Sequence, residues 1–122
     1  MTRFFYDSYS VLAYLSDSPG YSTYFEKNTG VLTRLNLMEV HSAILEIHGI
    51  RAAHRVLEAY STYEIEFSSS DVEGAMRLRR RLNDLGLSYA DALGYYISKK
   101  ERVKFLTGDT AFKDLPGVEY LR

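Results

Sequence analysis

The side chains in this 122-residue chain that offer a recognisable chemistry are carboxylates. Asp7 directly follows the aromatic run Phe4-Phe5-Tyr6, and Asp109 follows Val103 to Thr107 after a single Gly108, which lets the backbone turn sharply. If both runs are parallel strands, both acids lie at one sheet edge, outside which open α/β folds place their ligand crevice. Two further acids can be located by helical projection at about 100° per residue. Glu39 falls opposite the arc of Leu37, Met38, Val40, Ile44 and Leu45, on a side shared with Ser42, Ala43 and Glu46. Asp91 falls opposite Tyr89, Leu93, Tyr96 and Ile97, near Tyr95 and Ser98. Both are expected to face water or a cleft. Each acid also has a bland explanation. Asp is common in turns after strands, Glu39 suits a solvated helix face, and Ser88-x-x-Asp91 has the spacing of a capping box. Spacing alone does not choose.

Other chemistries find less support. His41, His48 and His54 contain no i, i+4 metal pair, and His41 and His48 project into the apolar arc of the Glu39 helix, as packed or interface histidines would. Without cysteine the chain forms neither a disulfide nor a thiolate metal site. No Gly-rich phosphate loop, nucleotide fingerprint or Ser-His-Asp order is present. Arg77, Arg80 and Arg81, and the group Lys99, Lys100, Arg102 and Lys104, read best as a solvated helix face and as cations near a helix C-terminus. Tyr6, Tyr9, Tyr14, Tyr21, Tyr24 and Phe25 either stack on exposed bases or belong to the core. With 15 basic and 16 acidic residues the net charge is -1, which excludes a generic basic nucleic-acid coat. Any polyanion has to be handled locally.

The elements that must position these acids are legible from hydrophobic period and caps. Arg3 to Tyr6 reads as a strand, with Ser8 capping a helix through Val11, Leu12 and Leu15. After the Ser18-Pro19-Gly20 turn come a short helix over Tyr21 to Lys27, a longer one from Leu35 to His48-Gly49, and another over Arg51 to Tyr60. Tyr63, Ile65 and Phe67 alternate with Glu64 and Glu66, the period of a half-wet strand. Ser70-Asp71-Val72-Glu73 has capping-box spacing for a helix ending at Leu85-Gly86. Ser88 caps the next helix to Lys100, Val103 to Thr107 reads as a buried strand, and Val118 to Leu121 as a last one. Strands separated by helices imply a single α/β domain, a central parallel sheet with helices on both faces. A hydrophobic fraction of 46% over this length supplies a full core. Val11 to Leu15 is the longest apolar run, well short of the ~18 residues of a membrane span, and Asp7 and Asp17 interrupt any signal-peptide core, so a cytoplasmic location is expected.

With their neighbours, the four acids form an ordered pattern: Phe4-Phe5-Tyr6-Asp7-Ser8, Leu37-Met38-Glu39-Val40, Leu87-Ser88-Tyr89-Ala90-Asp91-Ala92, and Phe105-Leu106-Thr107-Gly108-Asp109 followed by Phe112 and Gly117-Val118-Glu119. In this the chain resembles the PIN-domain family over almost its whole length. The resemblance implies a PIN-like nuclease domain over residues 1–122. It implies a metal-dependent ribonuclease that cleaves single-stranded RNA by in-line hydrolysis, leaving a 5'-phosphate and a 3'-hydroxyl, with Asp7, Glu39, Asp91 and Asp109 as catalytic and metal-binding residues for one or two Mg2+ or Mn2+ ions. Asp7 and Asp109 are then the foremost ligands, Asp91 shares their site, and Glu39 ligates directly or through water. Ser8 and Thr107 either orient a carboxylate or water or are turn hydroxyls. Oxygen-only donors suit these cations. Gathered carboxylates repel unless protons or cations bind, so a near-neutral total charge can conceal an acidic pocket that takes up polyanions after divalent ions reverse its local sign.

Many small members of that family are VapC-type toxins of toxin-antitoxin pairs, which form homodimers and bind an antitoxin peptide across the acidic cleft. The resemblance extends these expectations to this chain. The alternatives are an RNA-processing nuclease without an antitoxin and an inactive PIN-like module that binds RNA or protein. Two positions depart from the family pattern. Tyr9 stands where relatives often carry a small polar residue, and beyond Asp109 the next acid is Asp114, after Ala111, Phe112 and Lys113.

Overall fold

A computed structural model describes all residues, 1–122. Its order is β1 (Arg3–Tyr6), α1 (Ser8–Leu15), α2 (Tyr21–Glu26), β2 (Thr29–Val31), α3 (Arg34–His48), α4 (Ile50–Tyr60), α5 (Ser69–Arg81), α6 (Tyr89–Lys100), β3 (Lys104–Thr107) and β4 (Val118–Tyr120), with 3-10 turns at Ser61–Tyr63, Asn83–Leu85 and Thr110–Phe112. The four strands pair in parallel in the order β2-β1-β3-β4. Tyr6 is in register with Leu106, so β1 and β3 end side by side. No helix is long and apolar enough to cross a membrane.

The alternation of β1 distributes its side chains to two cores. Phe4 and Tyr6, with Leu106 of β3, pack with Val11, Tyr21, Leu37, Val40, Ile44 and Ala53 from α1 to α4. Phe5 and Phe105 face the other way, into a cluster with Ala75 and Leu78 of α5 and Leu93, Tyr95 and Ile97 of α6. The expected sheet with helices on both faces is what forms. The early aromatics are mostly core: Tyr6 and Tyr21 are buried, and Tyr6 stacks on Phe25, which stacks in turn on Tyr14.

Several local expectations are corrected. Ser8 is the first residue of α1, and Asp7 is its cap. The alternating segment Tyr63 to Phe67 forms no strand but one parallel bridge, Leu32 to Glu64, because β2 has only three residues before Thr33 turns into α3. Leu32 alone offers a partner, accepting from Ile65 and donating to Tyr63. β2 itself escapes sequence reading because three residues carry no period. The capping box of α5 is Ser68 with Asp71 rather than Ser70 with Glu73; Asp71 is buried and bound by Lys100 at 2.8 Å. That helix ends at Arg81, and Gly86, in the left-handed region at φ 66°, closes the following 3-10 turn instead.

The arc assigned to α3 is too broad. Leu37, Val40 and Ile44 are buried, whereas Met38 is 59% and Leu45 42% exposed; His48 is exposed and His41 half-buried. On α6 the error runs the other way. Tyr95 and Ser98, placed on the wet side with Asp91, are buried, while Tyr89 is 64% exposed. Packing against the sheet and α5 together leaves α6 little free face.

α6 approaches the sheet closely because Gly94 has no side chain: a Cβ there would stand 2.6 Å from the Phe5 ring and 3.1 Å from that of Phe105. Gly94→Ala is expected to lower unfolding stability by about 1–3 kcal/mol, the usual range for overpacking, measured as a reduced urea midpoint at unchanged m-value.

Candidate active site

The strand order places β2 and β3 on opposite sides of β1. The chain's crossovers therefore diverge at the carboxyl ends of β1 and β3, the topological switch point where open α/β sheets bind ligands. Asp7 leaves β1 there, its backbone N–H still donating to the Leu106 carbonyl of β3. α6 runs back along the sheet before β3 begins, which brings its first turn, with Asp91, to the same edge. Asp109 stands two residues beyond β3, and Glu39 in the second turn of α3.

Asp7 is only 3% exposed. Its Oδ1 accepts the Ser10 N–H at 2.7 Å, the N-cap bond of α1, and the Ser10 hydroxyl donates to the Asp7 carbonyl at 2.8 Å. Burial pushes its carboxyl up to about 7; hydrogen bonds from Thr107 and Ser10 oppose that rise, and the charge of Asp91 adds to it. Asp91 is also raised, by burial first and then by the charge of Asp109, against the stabilising bonds of Ser88. The three acids thus form an electrostatic series, Asp7 to Asp91 to Asp109.

Each is anchored through one oxygen. Asp91 Oδ2 accepts the Ser88 N–H at 3.0 Å while the Asp91 N–H donates to Ser88 Oγ at 3.0 Å, the capping box read from the sequence. Asp109 Oδ1 accepts the Ala111 N–H at 3.0 Å. Capping and cleft roles are therefore not alternatives, because Asp91 Oδ1 and Asp109 Oδ2 remain free of hydrogen bonds. Thr107 holds the turn that carries Asp109, its Oγ1 accepting the Asp109 N–H at 3.0 Å.

Glu39 stands apart from this series. It is exposed on the face of α3 that carries Ser42, Ala43 and Glu46, and these four residues with Ser8, Leu12 and Met38 line an open groove of about 580 Å³. Ser8 links it to the strand edge, donating to Glu39 Oε1 at 2.6 Å. Sequence reading missed what lies behind. Asn36, 2% exposed, donates to Ser8 Oγ at 3.1 Å, and its Oδ1 accepts from the Thr33 N–H and hydroxyl, each at 3.0 Å. Thr33-x-x-Asn36 is itself a capping box, so the spacing that identified Asp91 was available to identify Asn36.

Gly108 serves differently from the expectation. It does not adopt a positive φ; what excludes a side chain is space, since a Cβ would collide with the Tyr9 ring and come within 2.5 Å of the Leu121 carbonyl. Tyr9 therefore lies against the β3–Asp109 turn, its ring 6.5 Å from that of Tyr21. Arg122 donates to the Gly108 carbonyl at 3.1 Å. Asp114 is exposed and bonded to no other residue's side chain.

The donor set fits a hard divalent cation in kind, being all oxygen. No three Asp, Glu or His side chains yet converge closely enough to enclose one. Two carboxylates ~4 Å apart repel by roughly 4 kcal/mol at an effective dielectric near 20, and that repulsion opposes closer approach. Asp91 Oδ1 and Asp109 Oδ2, which make no hydrogen bond, are the atoms left to hold such an ion.

The chain matches the PIN domain family model over residues 5–118. Its fold is similar to a toxin-antitoxin complex chain from Klebsiella pneumoniae, with TM-score 0.75, 20% identity and coverage of 98% of this chain and 96% of that one. It is equally similar to a chain of VapBC2 from Rickettsia felis bound to a promoter DNA fragment, with TM-score 0.75, 17% identity and coverage of 99% and 100%. DNA-bound VapBC from Salmonella typhimurium gives TM-score 0.73, 13% identity and coverage of 99% and 98%. No curated protein sequence matches significantly.

The raised Asp7 carboxyl makes stability depend on pH. Between its ordinary value of 3.8 and about 7 the unfolded chain gives up this proton before the folded chain does. The stability conferred by neutral Asp7 is complete below about 4 and lost as pH rises through 7. In chelator, Asp7→Asn is expected to exceed the wild type in stability by about 2–4 kcal/mol at pH 8, a gain that disappears near pH 4. Denaturant midpoints at the two pH values measure it.

Proposed function

Because this chain belongs to the PIN-domain family, we propose that it is a divalent-metal-dependent endoribonuclease that hydrolyses single-stranded RNA. The observation that carries this reading is the series of buried and half-buried carboxylates, Asp7, Asp91 and Asp109, at the β1/β3 switch point, each held through one oxygen by a backbone N–H. Mg2+ or Mn2+ held by Asp7, Asp91 and Asp109, with Glu39, would activate a water and stabilise the leaving oxygen of the phosphodiester.

The protein's own contribution is preorganisation. β1 and β3 fix Asp7 and Asp109 on adjacent strand ends, Thr107 Oγ1 holds the Asp109 N–H, and the Ser88 box fixes Asp91. Ser8, backed by Asn36 and Thr33, aims Glu39 toward the same edge. These hydrogen bonds act through the carboxylates they orient, so Ser8 and Thr107 are positioning residues. Burial of Asp7 makes cation binding compete with a proton, which couples affinity to pH.

A toxin-antitoxin role is part of the reading. The structurally similar chains come from toxin-antitoxin and VapBC complexes, and Met38, Leu45, Ile47 and Ile50 leave apolar surface on α3 and α4 for a partner to cover. The expected partners are an antitoxin protein and a second copy of the chain, in the cytoplasm.

Cleavage of labelled single-stranded RNA is expected with Mg2+ or Mn2+ and to cease in excess chelator. Asp7→Asn, Asp91→Asn and Asp109→Asn should abolish it while remaining folded, and Ser8→Ala should reduce it by ~10- to 100-fold. Between pH 5 and 8 the rate should rise as Asp7 loses its proton, and higher Mg2+ should move that rise to lower pH. Cleavage that persists in the Asp variants would sink the assignment. For the toxin role, expression should arrest growth and a co-encoded small protein should relieve the arrest.

A further inference from the structure

A second concavity is larger than the groove beside Glu39. It is a groove of about 800 Å³ between α5 and the loop that leads into α6, lined by Arg77, Arg79, Arg80, Asn83, Leu87 and Tyr89, with Met76, Gly86 and one acid, Glu73, completing it. The three arginines are not equivalent. Arg79 is part of the wall: its Nε donates to the Leu87 carbonyl at 2.8 Å, and its guanidinium lies 4.9 Å from the centre of the Tyr89 ring. Arg77 and Arg80 have no ion pair, the chain's five pairs lying elsewhere. They are i, i+3 neighbours on α5, with Cβ atoms about 5–6 Å apart, a spacing able to follow successive phosphates.

Tyr89 is 64% exposed and is nevertheless held, by Arg79 across its face and by its position as first residue of α6 behind the Ser88 cap. A clamped, solvent-facing aromatic ring beside unpaired guanidinium groups is the arrangement that binds single-stranded nucleic acid, phosphates taken by the cations and a base by the ring. Tyr89 and Asp91 both lie in the first turn of α6 but on opposite sides of it, so a strand bound in the groove reaches the acidic edge by crossing that end of the helix.

We propose that this groove binds the single-stranded RNA flanking the scissile phosphodiester, with Arg77 and Arg80 contacting backbone phosphates and Tyr89, clamped by Arg79, stacking on a base. The proposal rests on the ribonuclease reading and adds to it a specificity-determining subsite outside the carboxylate cleft. It also explains how a chain of net charge -1 holds a polyanion: the cations sit in one groove while the acids sit in the adjoining one.

The test is binding of a short labelled single-stranded RNA by the full chain, followed by fluorescence anisotropy with Ca2+ in place of Mg2+, together with initial cleavage rates in Mg2+. Arg77→Gln/Arg80→Gln is expected to raise Kd ~10-fold and to flatten the dependence of log Kd on log salt by about 1.4, the value for two phosphates on a single strand. Tyr89→Ala should raise Kd ~5- to 150-fold with the salt slope unchanged, and Tyr89→Phe should restore binding. In cleavage these changes should appear in KM with kcat retained. RNA bound and cut by the wild type and equally by all three variants would overturn the groove while leaving the ribonuclease reading intact. Wild-type protein that neither binds nor cuts RNA would overturn both. Variants that bind RNA normally but lose a polyglutamate peptide would assign the groove to an acidic protein segment instead, overturning the proposal.

Discussion

β1 has a hydrogen-bonded strand on each edge and an apolar cluster on each face. A residue emerging from such a strand cannot turn to bulk water, and in this chain that residue is an acid. Asp7 is kept by the hydrogen bond from the Ser10 N–H on α1, because an unpaired buried carboxyl costs several kcal/mol. The rest of the active edge is arranged around it. Thr107 holds Asp109 at the end of the adjacent strand, α6 supplies Asp91 close enough to repel Asp7, and Ser8, the next residue along, reaches Glu39. The same burial that completes the hydrophobic core raises the proton affinity of Asp7, so core stability and the readiness of the site for a cation act against each other at neutral pH.

This coupling accounts for the economy of the site. The four acids come from four segments, and three of them accept a backbone N–H where a helix or turn begins: Asp7 from Ser10 at α1, Asp91 from Ser88 at α6 and Asp109 from Ala111 at the 3-10 turn after β3. One oxygen satisfies a backbone donor and fixes the rotamer, and in Asp91 and Asp109 the other makes no hydrogen bond. A cap restrains its side chain more firmly than a solvated helix face does, and Glu39, which caps nothing, is oriented instead by the Thr33-Asn36-Ser8 relay. Acids and free arginines are also segregated, the former at the sheet edge and the latter along α5, so opposite charges occupy adjoining surfaces rather than neutralising one another.

Where sequence reading failed, it failed for identifiable reasons. Periodicity measures one helix against an imagined single apolar neighbour. It therefore broadened the buried face of α3, which meets the core along Leu37, Val40 and Ile44 only, and narrowed that of α6, which is packed on two sides. The Tyr63 to Phe67 alternation was genuine but lacked a partner strand of matching length. At α5 two overlapping cap patterns competed, and burial of Asp71 against Lys100 selected the earlier one. Gly108 was correctly marked as a position that needs glycine, yet for close approach of Tyr9 and Leu121 rather than for its backbone angle.

Residue type and chain order were sufficient to give the α/β fold and the strands that deliver Asp7 and Asp109 to one edge, because alternation and caps are local properties, whereas the set of four acids was singled out by the resemblance to the PIN-domain family. Three things required the packed chain. Asp7 is nearly dry because two cores close over its strand. Asn36 stands behind Glu39 because α1 lies against α3 at Ser8. Tyr89 and the α5 arginines share one groove because Arg79 bridges to the loop that follows its own helix. The first two depend on contacts between segments distant in the chain, the third on a return of eight residues from Arg79 to Leu87, and no local pattern encodes which surfaces meet.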